Sequence, residues 1–130
     1  MTILVAYVPR PEGKAALDKG LEIAKRRSER LLVVNTSAGG HQEDEALADA
    51  DAVDWVESRL ANAGVDTAFK QFVRGKDVVE ELNHLVHTQS VSLVIIGLRR
   101  RTAVGKLFLG SNAHDILMNV DGPILTVKAH

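Results

Sequence analysis

Apolar residues fall into two kinds of stretch along this chain. Short blocks carry them almost without interruption, and longer stretches repeat them every three or four positions. Thr2–Val8, Leu31–Asn35 and Val91–Ile96 are blocks without polar alternation, as expected of strands covered on both faces. Pro9 and Pro11 end the first block in a turn. Asp66–Val73 alternates less cleanly and predicts a strand nearer a sheet edge. Pro123–Lys128 predicts a closing strand. Between the blocks, Lys14–Arg30 carries Ala16, Leu17, Leu21 and Ala24 on one helical face. Its end is basic (Lys25, Arg26, Arg27, Arg30), the charge sign that a helix C-terminus favours. Glu43–Ala63 is the longest predicted helix, striped by Val53, Val56, Leu60 and Ala63 and stopped by Gly64. Asp77 is a suitable N-cap for a helix over Val78–Thr88, whose inner face is Val78, Leu82, Leu85 and Val86. A last helix runs from Ser111 toward Met118.

Strand and helix alternate strictly, which predicts an α/β fold with a parallel sheet and helices on both faces. At 130 residues the chain is one domain, 1–130, with no internal repeat and no low-complexity segment. A domain of this size buries roughly two-thirds of its unfolded surface. It has no Cys, which fits a reducing compartment. With 16 basic and 17 acidic residues the net charge is −1, which argues against general nucleic-acid binding. No apolar run approaches the roughly 18 residues of a membrane span. The opening residues enter a strand pattern rather than a basic region and apolar segment. A cytoplasmic protein, with neither nucleic acid nor membrane as partner, is the expectation.

The chemistry gathers in the last third. Val91–Ile96 is expected to stop at Gly97 and give way to a basic loop, Leu98-Arg99-Arg100-Arg101-Thr102. Gly105-Lys106 and then Gly110-Ser111-Asn112 follow, opening the last helix. A buried strand, a glycine, fixed positive charge and small polar residues at a helix start form an anion cradle suited to phosphate oxygens. Plainer readings stand beside this one. Ser111 and Asn112 serve equally as helix caps, and three adjacent arginines need no ligand. Gly105-Lys106 is not a P-loop, because Leu107 follows. Asp49, Asp51 and Asp54 lack the glycine and terminal Glu of a calcium loop and read as a solvated acidic face. His84 and His87 lie one turn apart without an evident third ligand. Ser111 lacks the flanking glycines of a nucleophile elbow. Trp55 and Phe108 read as packing anchors.

These residues resemble a known family. Gly97, Gly110 and Ser111 fit the nucleotide motif of the universal stress protein family: glycine, two residues, glycine, nine residues, glycine, then Ser or Thr. Val73-Arg74-Gly75-Lys76-Asp77 resembles the turn before the family's third helix. Ser92–Gly97 resembles its fourth strand, and Pro123–Val127 its last. The resemblance spans essentially the whole chain. It implies a five-stranded parallel sheet of order 3-2-1-4-5 with four helices, the Rossmann-like fold called adenine nucleotide alpha hydrolase-like. Val8 and Gly97 then meet at one crevice, where the strand order reverses.

The resemblance further implies an adenine nucleotide, ATP accompanied by magnesium, with its phosphates on Gly97, Gly110, Ser111 and Asn112. Its base would lie near Val8 and Thr36. Homodimerisation through Pro123–Lys128 is implied as well. Two positions depart from the family. The motif's middle glycine falls on Arg100, whose side chain would either occlude the cradle or pair with phosphate. The acid usual at the end of the first strand is replaced by Val8. The expected function is a nucleotide-binding stress-response regulator. The alternative is a dimeric interaction module of the same family that binds no ATP and acts through protein partners. An enzyme ranks last, since no nucleophile–base pair or metal triad can be read; any ATP hydrolysis would be slow.

Overall fold

The computed structural model describes residues 1–35, 50–71, 77–100, 107–108 and 111–129, and gives the backbone alone for 50, 100, 107, 108, 111 and 112. In chain order the elements are β1 (Thr2–Tyr7), α1 (Pro11–Arg27), β2 (Arg30–Asn35), α2 (Ala50–Ala61), β3 (Thr67–Gln71), α3 (Val78–Thr88), β4 (Val91–Arg100), β5 (Leu107–Phe108), α4 (Ser111–Asn119) and β6 (Ile124–Lys128). The long strands lie in the order β3-β2-β1-β4-β6 and every neighbouring pair is parallel. This is the expected 3-2-1-4-5 sheet, with β6 as the fifth long strand. The short β5 adds an antiparallel pairing at the end of β4.

The central strand explains why its sequence lacks polar positions. All of β1 is buried, and its side chains alternate between two cores. Ile3, Val5 and Tyr7 pack with Ala16, Leu17 and Ala24 of α1 and Val56 and Leu60 of α2. Leu4 and Ala6 pack with Leu82 and Leu85 of α3 and Ile116 of α4. Helices therefore cover both faces, α1 and α2 on one and α3 and α4 on the other. Among the described residues no helix is long and apolar enough to cross a membrane.

Three boundaries differ from the pattern. Pro11, expected in a turn, is the first residue of α1, where its missing N–H costs nothing and its fixed φ suits the helix. That helix stops before Arg30 because Ser28 turns left-handed, with φ 53°, and its N–H closes on the carbonyls of Ala24 and Lys25. β4 does not end at Gly97. Gly97 and Leu98 stay in register with Val127 and Lys128 of β6, and Arg99 and Arg100 pair with Phe108 and Leu107. Leu98, Arg99 and Arg100 are thus strand rather than loop; 101 and 102 lie outside the described residues. Of the expected helix Glu43–Ala63, α2 covers Ala50–Ala61, and 43–49 also lie outside the described residues. Gly64, with φ +74°, follows α2 as expected.

Asp77 caps α3 by accepting the N–H groups of Val79 at 2.8 Å and Glu80 at 3.2 Å. Asp77→Ala is expected to cost about 1 kcal/mol, and Asp77→Asn nearly nothing. Urea denaturation at unchanged slope measures both.

Candidate functional site

The register of the sheet opens a wedge at the carboxyl ends of its central strands. β1 pairs with β2 as far as Tyr7↔Asn35, and β4 pairs with β6 as far as Leu98↔Lys128. Between β1 and β4 the last paired residues are Val5 and Ile95. The two strands part beyond that point, where the strand order reverses and open α/β sheets bind their ligands. The first turn of α1 occupies the floor of this wedge. A Cβ on Gly97 would stand 2.9 Å from Glu12 Cβ and closer still to the Glu12 carbonyl. A Cβ on Gly13 would stand 2.7 Å from Val8 N and collide with the Val8 carbonyl oxygen. Neither position admits a side chain, because the obstacle is main chain.

Glu12 lies in that first turn and is only 7% exposed. Arg99 Nε donates to Glu12 Oε2 at 2.9 Å, joining α1 to the end of β4. The positive end of the helix dipole also favours a carboxylate here. Asn35, fully buried at the end of β2, donates from Nδ2 to the Tyr7 carbonyl at 3.1 Å and ties the ends of β1 and β2 together. The Tyr7 ring stacks on Trp55 at 6.4 Å and meets Phe69 edge-on at 6.5 Å. Lys14 Nζ and Arg59 Cζ lie 5.0 Å and 4.7 Å from the Trp55 ring centre. The α1–α2 rim of the wedge is therefore aromatic and cationic.

Of the residues singled out in sequence, Val8 and Gly97 are brought to opposite sides of the same helical turn. Val8 is half-buried, and its carbonyl accepts the Arg10 N–H at 2.8 Å. Gly97 lies within β4 rather than in a loop. Arg100 is the last residue of β4, its backbone paired with Leu107. Ser111 and Asn112 open α4, on the sheet face opposite α1. Thr36 and Gly110 lie outside the described residues. Among the described residues no three His, Asp or Glu side chains gather as a metal site. His87 instead meets Asp121, Nε2 to Oδ2 at 3.0 Å. Sequence reading missed Glu12, Gly13 and Asn35 and counted Arg99 as loop charge. The available signals were an acid directly after a helix-opening proline and a polar residue closing an apolar strand.

Comparison with known proteins agrees with this geometry. The profile of the universal stress protein family matches residues 1–128. A universal stress protein of Mycolicibacterium smegmatis is 41% identical over 128 residues, covering 98% of each chain. The solved universal stress protein of Archaeoglobus fulgidus superposes with a TM-score of 0.75 at 24% identity, covering 98% of this chain and 97% of its own. A structure of the universal stress protein from the same organism in complex with dAMP gives 0.69 at 20% identity, covering 98% and 96%. At these identities the two structures speak to the fold.

The glycines of the wedge make a stability prediction with opposing terms. Ala is the better helix former by about 1 kcal/mol, so Gly13→Ala would stabilise an open helix. Here the added methyl meets fixed main chain, and overpacking costs about 1–3 kcal/mol or more. Gly13→Ala and Gly97→Ala are both expected to be net destabilising, by a lowered urea midpoint.

Proposed function

The chain belongs to the universal stress protein family, and we propose that it is a nucleotide-binding stress-response regulator with an adenine nucleotide as ligand. The observation that carries this reading is the parting of β1 and β4 beside Gly97, the first glycine of the nucleotide motif. The dAMP held by the relative from Archaeoglobus fulgidus supports the ligand class. In this reading the base lies near Val8 and Thr36. The phosphates meet the backbone of Gly110, Ser111 and Asn112 beside Gly97, with Arg100 adding charge and magnesium accompanying ATP. Helix starts suit phosphate because their first N–H groups have no partner inside the helix. The role is binding rather than turnover, and any hydrolysis is slow: Glu12, the buried acid described in the wedge, is already engaged by Arg99. Val8 in place of a strand-end acid, with Arg100 at the motif's middle glycine, favours a second reading: an interaction module that binds no ATP. A cytoplasmic site of action belongs to both readings.

Both also include a homodimer through Pro123–Lys128. β6 lies at the sheet edge, where unpaired backbone groups invite a second strand, and a twofold axis would satisfy them. Two measurements test these proposals. Titration with ATP and magnesium, or with AMP, is expected to shift the amide resonances of Gly97, Gly110 and Ser111 saturably. No shift at millimolar nucleotide leaves the interaction module. Sedimentation equilibrium is expected to return twice the chain mass of 14.1 kDa. Monomer alone at micromolar concentration overturns the dimer.

A further inference from the structure

We propose that the outer surface of α3 and α4 docks a basic amphipathic segment of another protein, centred on Leu117 and Met118. This goes beyond both readings above. The surface lies across the sheet from α1 and needs neither a filled nor an empty crevice. Apart from Met1 at the first position, the large hydrophobic side chains exposed among the described residues are Leu117, at 40%, and Met118, at 66%. Exposed apolar residues are ordinary when scattered singly. These two are adjacent on one short helix, α4, which turns Ile116 into the core beside them. A Met side chain is flexible and polarisable, and suits a surface that closes over a partner's apolar residue.

The charge around them decides the partner. No Lys or Arg occurs in 77–98 or 107–127, the stretches that supply α3 and α4. The same stretches hold Asp77, Glu80, Glu81, Asp115 and Asp121. Met118 stands one helical turn beyond His114 and Asp115, all three exposed. Glu80, His84 and His87 form an exposed row on α3 at the same spacing. The two helices are tied directly to each other. Asn83 donates from Nδ2 to the Asn119 carbonyl at 3.1 Å, and its Oδ1 accepts the Asp121 N–H at 2.7 Å. The described cations that end these stretches or approach them are occupied or lie elsewhere. Arg99 is paired with Glu12, and Arg30 is shared between Asp66 and Gln89. Lys128 lines a groove beside Lys14 and Lys19 of α1. Acid and apolar groups without Lys or Arg are complementary to an apolar residue flanked by Lys or Arg. A second copy fits badly, because a twofold contact would set this surface against itself, acid facing acid.

A synthetic helical peptide of Leu and Lys, titrated into the isotopically labelled full chain, tests the proposal. A twin peptide carries Glu in place of Lys. The Lys peptide is expected to shift the amide resonances of His84, Asp115, Leu117 and Met118 saturably, and the Glu twin to leave them in place. Leu117→Gln and Met118→Gln are each expected to weaken binding about tenfold. Both positions are exposed, so the fold withstands the change. Glu80→Gln combined with Asp115→Asn is expected to weaken binding about fivefold at about 0.1 M salt and hardly at all at about 1 M. No saturable shift overturns the inference. So does a footprint centred on another acidic stretch, such as Asp51 and Asp54 of α2, or equal binding of the Glu twin. A fall in sedimenting mass in Leu117→Gln or Met118→Gln overturns it too, since the surface is then a contact between copies. None of these outcomes bears on the nucleotide titration read at Gly97, so the two proposals fail separately.

Discussion

Two glycines let the first turn of α1 sit between strands that have ceased to pair. Gly13 meets the main chain of Val8, and Gly97 meets that of Glu12. This approach fixes where α1 crosses the sheet, and with it the core on that face. Gly20, further along the same helix, repeats the device: a Cβ there would meet Val5 Cγ2 at 2.5 Å and Leu31 Cδ1 at 3.2 Å. The helix lies low on the sheet along its length, and the wedge is the end of that contact. The crevice and the core are consequences of one packing distance.

Stability comes chiefly from the two cores that β1 separates. Side chains such as Leu4, Leu17, Leu82 and Ile95 are fully buried, and each contributes roughly 1.5–3 kcal/mol before chain entropy is set against it. The ion pairs on the α1 surface are of a different order. Glu22 bridges Lys19 and Arg26, and Asp18 meets Arg59, but all of these side chains are well exposed. Pairs of that kind contribute about 0–1 kcal/mol. Glu12–Arg99 stands apart because its acid is buried. Removing one partner there leaves an uncompensated charge in a poorly screened place.

The order of elements was legible because each is encoded locally. α3 could be read to the residue, since an aspartate cap and an apolar stripe lie within one short stretch. The sheet order was not in the pattern; it came from resemblance, because strand pairing is non-local. For the same reason the end of β4 was misread. Its hydrophobicity stops at Gly97, but its backbone pairing continues against β6 and β5, which no local pattern reveals. Pro11 misled because proline breaks a helix everywhere except at its start. In the site, Val8 and Gly97 were brought to one crevice by the strand order that the family resemblance implies, not by a local pattern. Glu12 could be placed from neither, because its burial exists only once β1 and β4 have parted around it. An acid in the first turn of a helix is ordinarily a solvated one.

The stack of Tyr7 on Trp55 carries a practical consequence. Trp55 is the chain's sole tryptophan, and its partner is the last residue of the strand that borders the wedge. Two cations, from α1 and α2, flank the same indole. Any event that tilts the end of β1 or the start of α1 changes the electric field felt by a single chromophore. The molecule therefore contains an intrinsic optical gauge of its own interior, whose emission colour and intensity can be followed without a label.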